Sequence, residues 1–474
     1  MIIAGAGKAG QLISKDLLEN KESPFEIVGF VDDDKEKQGK KLNGKPVLGP
    51  VAKLAELIEQ LQVAEVLIAL PSGRGKTIRY VIESAEGQKV TYKILPRMSE
   101  VLLQDFKEDY LKYIRRVKPE DLLGGEILKS DQSEITKFTK NQTILITGAA
   151  GSIGSELSRQ ITAHNPKRIV FYDWWENGMF ELRNQLLESH GEENLEFIIG
   201  DVKDRKRLDN TIKKYKPTTI FHAAAYKHVP LMEHNPSEAI RNNIIGTKTV
   251  AELAIKHKVK KFILISTDKA VNPTNIMGAT KRAAEKILHI LSESQTTTTF
   301  CAVRFGNVIN SNGSAIPFFE KQIEKGGPVT VTHKDITRFF MTIPEAVHLI
   351  LKAWVIGVNN DLFVLDMGEP VKIYDLAKWL ITLHGYKPEV DIKIDIVGLR
   401  PGEKLYEEVL VGEEETKVEG IDKIFRTKNY MKFDKLAYLN NLAQLTDSLD
   451  DESLNIEFLR DKLKGMVSTY KPSK

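Results

Sequence analysis

Short apolar runs and amphipathic segments alternate along the chain, and this alternation occurs twice. In its first occurrence, an apolar stub at residues 2–4 precedes a glycine-containing turn and the amphipathic segment QLISKDLLEN. The apolar runs FEIVGF, VAEVLIALP and VTYKILP follow at intervals that leave room for helices. Strands that alternate with helices are typical of a parallel sheet covered by helices. The pattern therefore predicts a first Rossmann-like α/β domain over residues 1–120.

A second and longer alternation begins at residue 143 with the apolar run TILIT. Further runs recur as RIVFYD, LEFIIGDV, TTIFHAAA, KKFILIST and TTFCAVRFGNV, with amphipathic segments between them. This succession favours a doubly wound parallel sheet. We predict a polar linker over residues 121–142 and a catalytic domain over 143–430. Its substrate-binding part lies mainly after residue 310, where the alternation loosens, and a helical tail occupies residues 431–474.

The bulk composition is that of an ordinary globular protein and limits the classes of function. Hydrophobic residues make up 42% of the 474 positions, charged residues make up 28%, and the net charge is +3. Because Lys and Arg are spread along the chain rather than clustered, we expect no nucleic-acid partner. The single cysteine, Cys301, lies in an apolar run that predicts a packed thiol, and it suits a reducing, cytoplasmic compartment. No signal peptide, membrane span or metal-ligand spacing is evident, so we expect neither a span in this chain nor a metal.

A glycine-rich turn at the start of the second alternation predicts a dinucleotide site. Gly148, Gly151 and Gly154 follow an apolar strand directly, and Ser152 and Ile153 open the predicted helix. The first glycine permits a tight turn, the second lets a pyrophosphate approach the backbone, and the third lets helix and strand pack closely. The helix N-terminus attracts the phosphate groups.

The ends of the next strands provide the other predicted cofactor contacts. Asp173 ends the strand after the glycine turn, where a carboxylate accepts both ribose hydroxyls and repels a 2′-phosphate. This favours NAD over NADP. Asp201 and Val202 end the following strand, which is a common place to hold adenine. Three small residues that would let the cofactor lie close end the fourth strand: Ala223, Ala224 and Ala225.

The first alternation also contains a glycine turn, from Gly5 to Gly10, in a strand–turn–helix context. Three acids, Asp32, Asp33 and Asp34, stand at the end of its second strand. The turn could bind a nucleotide, but no catalytic side chains accompany it, so we expect a structural or regulatory role. The strand before this turn is very short, or else the chain once continued upstream, where a membrane anchor could have preceded it.

Six motifs of the second domain carry a resemblance to a known enzyme family. They are TGAAGSIGSEL, HAAAYKHVPLME, STDKAVNPTNIMGATKR, VRFGNVINSNGSAIPFF, TRFFMTIPEA and LRPGEKLYEE. The segment from about residue 143 to 410 resembles the nucleotide-sugar dehydratases of the extended short-chain dehydrogenase family. It is most similar to the large UDP-N-acetylglucosamine 4,6-dehydratases of bacterial polysaccharide biosynthesis. The first domain, with GFVDDD and PVLG, resembles the preceding domain of these enzymes.

The resemblance implies a cofactor, a substrate and an assembly. It implies NAD, UDP-N-acetylglucosamine as the partner, and a homo-oligomer. The multi-span membrane segment that is usual in these enzymes is not seen in this chain, which favours a soluble or truncated form. We therefore expect a cytoplasmic location, or the inner face of the membrane if an upstream anchor is missing.

The chemistry of these dehydratases gives roles to the stretch STDKAVNPTNIMGATKR. Oxidation at C4 of the sugar acidifies the C5 proton, water is lost from C5 and C6, and hydride returns to C6. The resemblance implies that Thr267 hydrogen-bonds the C4 oxygen, that Asp268 is the acid at C6, and that Lys269 is the base at C5. A base requires a neutral amine. We therefore expect burial or a nearby cation to lower the pKa of Lys269, and we expect Asp268 to stay protonated.

Met277 stands where short-chain dehydrogenases have a tyrosine, four residues before Lys281. A thioether cannot take a proton from the C4 hydroxyl. The C4 base therefore stays open between Thr267, Asp268 and a bound water. The resemblance implies that Lys281 contacts the nicotinamide ribose and raises the local positive potential. Because the large methionine-bearing members retain the C5 configuration, it also implies the product UDP-2-acetamido-2,6-dideoxy-α-D-xylo-hexos-4-ulose.

Six polar residues are candidates for binding the UDP-sugar: Lys227, His228, Asn307, Arg338, Arg400 and Glu403. The first two follow the fourth strand and Asn307 ends a later one, at positions that contact the sugar in relatives. Arg338 and Arg400 are candidates for the diphosphate, because a planar guanidinium can bind it through two parallel hydrogen bonds. Glu403 could fix the uridine ribose or pair with Arg400. Taken singly, each of the six could also form a surface salt bridge.

Two rival functions stay open. A UDP-sugar 4-epimerase performs the same oxidation at C4 but needs no acid and base for C5 and C6, so the pair Asp268–Lys269 favours dehydration. A non-catalytic module that senses NAD or a UDP-sugar would explain Met277 and the repeated nucleotide-binding pattern. Such a module has no need of a base at Lys269.

Overall fold

Two compact units make up the chain, and each is discontinuous in the sequence. The computed structural model describes residues 1–20, 25–70, 75–95, 114–123, 132–311, 313–410, 419–428, 433–451 and 455–472. The first unit contains Met1–Leu128, Gly313–Ile336 and Val371–Gly398, and the second contains Lys129–Asn312, Thr337–Pro370 and Leu399–Lys474. Two later segments cluster with the first unit. The domain ranges given above stay predictions. The predicted linker falls partly outside the described residues.

The first unit contains a mostly parallel sheet, as the first alternation predicts. Its strand order is Lys41–Leu42, Lys45–Gly49, Gly29–Val31, Ile2–Ala4, Glu65–Ile68, Thr91–Ile94 and Arg115–Arg116. The outermost pair at each edge is antiparallel and the other neighbours are parallel. The strand after the N-terminal methionine is three residues long, and all three of its side chains are fully buried.

Helices of the first unit come from the N-terminal region and from the two later segments. They are Lys8–Glu19, Leu54–Gln60, Gly75–Glu83, Pro119–Leu123, Ala315–Glu324 and Ile373–Leu383, with a 3-10 turn at Val51–Lys53. A further strand is Val371–Lys372, and a small parallel sheet joins Val329–Val331 to Ile394–Ile396. The side chain of Asp32 accepts the backbone N–H of Ala6 at 2.7 Å, which ties the end of the second strand to the first glycine turn.

The second unit is built on a larger sheet that confirms the doubly wound α/β prediction. Within the described residues its strand order is Leu195–Ile199, Arg168–Asp173, Thr143–Thr147, Thr219–His222, Lys261–Ile265, Thr299–Arg304, Asp361–Leu365, Ile424–Lys428 and Glu419–Ile421. The first seven strands pair in parallel, and the last two pairings, both made by Ile424–Lys428, are antiparallel. The chain order reverses between Thr143–Thr147 and Thr219–His222. Ligands of such sheets bind at this reversal, beyond the carboxyl ends of the strands.

Helices cover the sheet of the second unit. They are Gln132–Thr139, Ser152–Ala163, Glu176–His190, Arg205–Tyr215, Val229–His234, Pro236–Ala239, Thr247–Lys256, Ile276–Ser294, Ile343–Ile356, Lys435–Ser448 and Ile456–Met466. Two short helical turns complete them, a π-helix at Ile240–Gly246 and a 3-10 turn at Asp268–Ala270. Three short strands are Asn307–Val308, Thr337–Arg338 and Phe340–Met341. Side-chain caps begin several helices, as where Asn275 Oδ1 accepts the N–H of Gly278 at 2.7 Å.

The helix Ile276–Ser294 lies in the core of the second unit. Its residues Ala279, Ala283 and Ile287 recur at helical spacing and pack against buried side chains of the two C-terminal helices. Tyr438 of those helices donates its hydroxyl to the carbonyl oxygen of Ala283 at 2.8 Å. On the neighbouring sheet, Cys301 is only 2% exposed, which confirms the packed thiol. The core therefore holds rigidly the helix that carries Met277 and Lys281.

Candidate active site

The stretch Thr267–Lys269 lies just beyond the carboxyl end of the strand Lys261–Ile265 in the second unit. Pairing with the next strand continues past the strand end, because Ser266 N–H donates to Val303 O at 2.7 Å and Asp268 N–H donates to Phe305 O at 3.1 Å. The chain then turns through the 3-10 segment, which leaves the three side chains at the sheet edge where ligands bind.

Four of the predicted site residues are in direct contact. Thr267 Oγ1 donates to Asp268 Oδ1 at 2.9 Å, and Lys269 Nζ donates to the same oxygen at 3.0 Å. Lys269 Nζ also donates to Asn307 Oδ1 at 3.0 Å. Asp268 is only 1% exposed, and its Oδ2 is buried with no hydrogen-bond partner among the described residues. The structure thus brings a hydroxyl, a carboxylate, an amine and an amide to one point.

Glu407 joins this cluster, although the sequence analysis gave it no role. Its Oε1 lies 4.0 Å from Lys269 Nζ and 3.7 Å from Arg338 Nε. The side chain is 4% exposed, and Oε2 is buried without a partner among the described residues. Glu407 belongs to the motif LRPGEKLYEE, and its charge within that motif was the available signal.

The pKa of Lys269 is raised, so the expected lowering is wrong. Burial by itself lowers this pKa, but the carboxylates of Asp268 and Glu407 outweigh both burial and the charge of Arg338. Arg338 provides the expected nearby cation, but its effect on the pKa of Lys269 is smaller than that of the two carboxylates. Burial raises the pKa of Glu407, and the charge of Asp268 adds to this effect against Lys269, Arg338 and Lys404.

A buried ion-pair network fixes the residue that precedes the cluster. Ser266 Oγ donates to Glu285 Oε1 at 2.6 Å, and Arg304 contacts both oxygens of Glu285 at 2.8 and 2.7 Å. Arg282 Nη1 donates to Glu285 Oε2 at 3.0 Å. Burial opposes ionisation of Glu285, but the two guanidinium groups and the Ser266 hydroxyl hold its pKa at about 2. The strand end that leads into Thr267 is therefore clamped by charge.

Met277 and Lys281 occupy the first turns of the helix Ile276–Ser294. Met277 is 3% exposed and packs in an apolar cluster with Ile240 and Tyr438. Lys281 is 4% exposed and donates from Nζ to the carbonyl oxygen of Ile265 at 2.7 Å. Burial lowers the pKa of Lys281 to about 8, against the opposing charge of Glu285. A buried amine thus stands at the strand end two residues before Thr267.

The glycine-rich turn has the geometry that a dinucleotide requires. Gly148 has a φ of +70°, and a Cβ there would lie 2.4 Å from the backbone nitrogen of Ala224. A Cβ at Gly154 would lie 1.9 Å from the carbonyl oxygen of Gly148, so helix and turn pack too closely for any side chain. A Cβ at Gly151 would meet only Gly148 O, at 3.4 Å, so this side is open to a ligand. The steric conditions therefore fit a pyrophosphate at Gly151.

The strand ends around this turn are arranged in register with it. Asp173 Oδ2 accepts the N–H of Ala150 and Oδ1 accepts the N–H of Trp175, both at 2.9 Å. Burial raises the pKa of Asp173, although these N–H groups oppose the effect. Each oxygen keeps a second lone pair for a ribose hydroxyl. Asp201 follows the next strand, and the residue after it, Val202, is buried.

The helix Ser152–Ala163 begins directly after Gly151, with Ile153 in its first turn. Its N-terminus lies at the carboxyl end of the central strand. A phosphate group there would meet backbone N–H groups that point out of the start of the helix. Together with the open face of the turn and the carboxylate of Asp173, this first turn completes a set of residues that fits a dinucleotide.

A clamp holds the small residues that end the fourth strand. Ala223 N–H donates to Thr147 O at 2.9 Å, in line with the parallel ladder. Beyond Ala225, the side-chain amide of Asn243 accepts the N–H of Tyr226 at 2.8 Å and donates to its carbonyl oxygen at 3.0 Å. Sequence reasoning missed Asn243, which lies in the π-helix. The clamp fixes the backbone that leads to the predicted sugar-contacting residues.

Lys227 and His228 are exposed at the surface of the second unit. Partial burial of the ammonium group lowers the pKa of Lys227, and the charge of Lys269 lowers it further. Burial and the charge of Lys227 lower the pKa of His228. The electrostatic influence of Lys269 therefore extends to the turn that carries both residues.

The remaining predicted substrate residues form a second polar cluster. Arg338 is 7% exposed, and its Nη2 lies 3.4 Å from Glu403 Oε1. The other oxygen of Glu403 accepts the backbone N–H of Arg400 at 3.1 Å. The side chain of Arg400 is exposed. Glu403 therefore pairs with Arg338 through its charge, and with Arg400 only through the backbone.

Among the described residues, no helix is long and apolar enough to cross a bilayer. Nor do three or more His, Cys, Asp or Glu side chains of those residues meet in a group that could hold a metal ion.

Comparisons with known proteins agree with this arrangement. A family described as polysaccharide biosynthesis protein matches residues 144–429, and one described as CoA-binding domain matches residues 1–96. The chain is 44% identical over 436 residues to the capsular polysaccharide biosynthesis protein CapD of Staphylococcus aureus, which covers 91% of this chain and 72% of CapD. It is 48% identical over 410 residues to the probable polysaccharide biosynthesis protein EpsC of Bacillus subtilis, covering 86% of this chain and 68% of EpsC.

An epimerase and a solved structure are also similar. The UDP-glucose 4-epimerase of Rickettsia canadensis is 36% identical over 340 residues, which cover 68% of this chain and 95% of the epimerase. The X-ray structure of Pen from Bacillus thuringiensis superposes with a TM-score of 0.58 and 34% identity, covering 62% of this chain and 90% of Pen.

Proposed function

The chain belongs to the polysaccharide biosynthesis protein family, as an enzyme of the nucleotide-sugar dehydratase and epimerase kind, and we propose that it is an NAD-dependent UDP-N-acetylglucosamine 4,6-dehydratase. The observation that carries the finer proposal is the direct contact of a buried carboxylate, Asp268, with the amine of Lys269. An epimerase that only oxidises and reduces C4 needs neither an acid for C6 nor a base for C5.

The cofactor would be held by residues whose geometry fits it. Gly148, Gly151 and Gly154 would receive the pyrophosphate at the start of a helix, and Asp173 would hold the adenosine ribose. NAD, when bound, accepts a hydride from C4 and returns it to C6, so that no external oxidant is consumed. Lys281, buried at the strand end beside the cluster, would place a positive charge near the nicotinamide ribose.

One proton transfer would prepare both Asp268 and Lys269. The raised pKa of Lys269 means that the amine begins charged, hydrogen-bonded to Asp268 across 3.0 Å. Moving that proton from Nζ to Oδ1 produces a neutral amine and a protonated acid without changing the net charge of the site. The amine then takes the C5 proton, the C6–oxygen bond breaks, and the acid's proton leaves with the hydroxyl as water. After hydride delivery, the amine returns its proton to C5.

The C4 hydroxyl proton also has a route within the cluster. Thr267 Oγ1 donates to Asp268 Oδ1 at 2.9 Å, so a hydroxyl bound to Thr267 is connected to that carboxylate. Because the pair must hold only one proton when water is lost, the C4 proton passes on to solvent before that step, and Lys269 regains a proton from solvent once it has returned its own to C5. Met277 takes no part in this exchange, because its thioether neither donates nor takes up a proton. Its side chain is also packed in the core.

The substrate and the stereochemistry rest on the resemblance and on the nearby polar residues. Asn307, in contact with Lys269, would meet the sugar. Arg338 and Arg400 would bind the diphosphate, with Glu403 between them. A single base that removes and returns the C5 proton on one face retains the C5 configuration. The expected product is therefore UDP-2-acetamido-2,6-dideoxy-α-D-xylo-hexos-4-ulose.

Mass spectrometry of the purified full chain with UDP-N-acetylglucosamine, and without added cofactor, tests this function. We expect a product lighter than the substrate by one water, and NAD released when the protein is denatured. NMR of the first-formed product tests the configuration, and a C5 epimer would refute retention. Substrate recovered unchanged, with NAD bound, would refute dehydration of this sugar.

A UDP-sugar 4-epimerase is the second candidate, favoured by the similarity to the rickettsial enzyme. Epimerisation conserves the mass of the sugar, so the same experiment separates the two activities. A non-catalytic sensing module would bind the UDP-sugar without turnover. The cytoplasmic location and the homo-oligomer stay predictions, and light scattering of the purified chain checks the second.

A further inference from the structure

Glu407 places a second buried carboxylate beside the proposed acid–base pair. Its Oε1 faces Lys269 Nζ at 4.0 Å, and Arg338 Nε holds it from the other side at 3.7 Å. The adjacent Glu408 is different, because its side chain is 51% exposed and contacts only Lys404 and Asn272 among the described residues. Of the two consecutive glutamates, one is therefore directed into the site and the other towards solvent.

Charges from several segments meet at this point. Asp268 and Lys269 come from the turn after one strand, Arg338 comes from a short strand, and Glu407 comes from the motif LRPGEKLYEE. Two negative and two positive groups form the inner cluster. The outer charged groups that face it are Glu403, Lys404 and Lys227. If Glu407 were neutral, the inner cluster would carry an excess positive charge that repels protons from the pair.

We propose, resting on the dehydration proposed above, that Glu407 is a positioning residue that keeps one proton on the Asp268–Lys269 pair. The proposed reaction needs that proton, because a neutral Lys269 beside an ionised Asp268 would provide a base and no acid. The buried negative charge of Glu407, 4.0 Å from Lys269 Nζ, favours the protonated pair, and it contributes to the raised pKa of Lys269. Glu407 itself touches neither the leaving hydroxyl nor the C5 proton in this role.

Substitution of Glu407 by Gln removes the charge and nearly preserves the shape. Activity that requires one proton on the pair depends on pH as a bell, because it is lost when the pair gains a second proton and when it loses the first. Because the charge of Glu407 favours the protonated forms of the pair, Glu407→Gln should move both limbs of the kcat/KM profile to lower pH, by roughly 1 unit. Glu407→Asp, which keeps the charge, should restore the limbs towards those of the wild-type chain.

Glu408→Gln is the matched control, because it removes the same charge from the neighbouring exposed position. It should leave both limbs unchanged. A lowered kcat in Glu407→Gln with both limbs in the wild-type positions would overturn the proposal, since a purely structural role reduces the rate without moving the profile. Circular dichroism of each variant checks that the chain is folded.

A second measurement does not depend on turnover. Trace acetylation of amines over a range of pH, read by mass spectrometry of the peptide that contains Lys269, gives the pKa of that side chain in the full-length protein. The pKa should fall in Glu407→Gln and not in Glu408→Gln. If the wild-type chain does not dehydrate UDP-N-acetylglucosamine, the proposed function fails, and the acetylation curves alone decide: a fall supports the influence of Glu407 on Lys269, and coincident curves overturn it.

Discussion

The substitution Glu285→Gln tests whether buried charge holds the site in place. Glu285 is fully buried and is contacted by Arg304, Arg282 and Ser266. The amide keeps the volume of the side chain but removes the negative charge. The two guanidinium groups in the core then lose the charge of Glu285, and Ser266, next to Thr267, loses its charged acceptor.

The expected magnitude can be worked out in two ways. The pKa of Glu285 falls from 4.5 to about 2 on folding. At about 1.4 kcal/mol for each pH unit, this shift corresponds to roughly 3 kcal/mol of stability at neutral pH. Independently, breaking a buried ion pair by removing one partner costs about 3–5 kcal/mol. Both routes therefore predict a loss of ~3 kcal/mol in the free energy of unfolding.

The pH dependence of this loss has a definite sign. A carboxylate whose pKa is lowered by folding stabilises the protein fully above its unfolded pKa, here 4.5, and that stabilisation disappears as the pH falls towards about 2. The difference between wild type and Glu285→Gln should therefore be constant above about pH 5 and shrink below it.

Urea unfolding followed by circular dichroism, at pH 7 and at pH 4, measures the difference. Glu293→Gln is the matched control, because Glu293 lies on the same helix, is 47% exposed and pairs with Lys435 at the surface. Exposed pairs contribute about 0–1 kcal/mol. Equal effects of the two substitutions, or a Glu285→Gln effect that does not change between the two pH values, would refute the reasoning.

Three further outcomes are expected. Lys269→Ala should reduce dehydration by about 10²–10⁴-fold, measured by mass spectrometry, because it removes the C5 base; undiminished turnover would support a different role for the cluster. Gly154→Ala should abolish co-purification of NAD, since its Cβ would lie 1.9 Å from Gly148 O, whereas Gly420→Ala, where a Cβ meets nothing within 4 Å, should bind it normally. Arg400→Ala should raise KM far more than it lowers kcat if this exposed arginine only binds the diphosphate, and an unchanged KM would contradict that assignment.

Local features of this protein were determined by the sequence alone. The apolar runs predict the parallel strands because a strand that is covered on both faces needs an unbroken run of apolar residues. The fully buried strand Ile2–Ala4 is an example. The glycine turn follows from a few adjacent residues. A φ of +70° at Gly148 and the close packing at Gly154 are conditions that a Cβ excludes, whatever the rest of the chain does.

The electrostatic state of the site was decided only by the tertiary structure. Asp268 is adjacent to Lys269 in the sequence. Glu407, which contacts Lys269, and Arg338, which contacts Glu407, come from distant segments. The direction of the Lys269 pKa depends on the balance of burial with all these charges, and that balance exists only once the segments meet. For the same reason, Asn243 could be recognised as the clamp of Tyr226 only in the folded chain. Spacing along the sequence predicts local geometry, whereas a pKa depends on distances between groups that folding alone brings together.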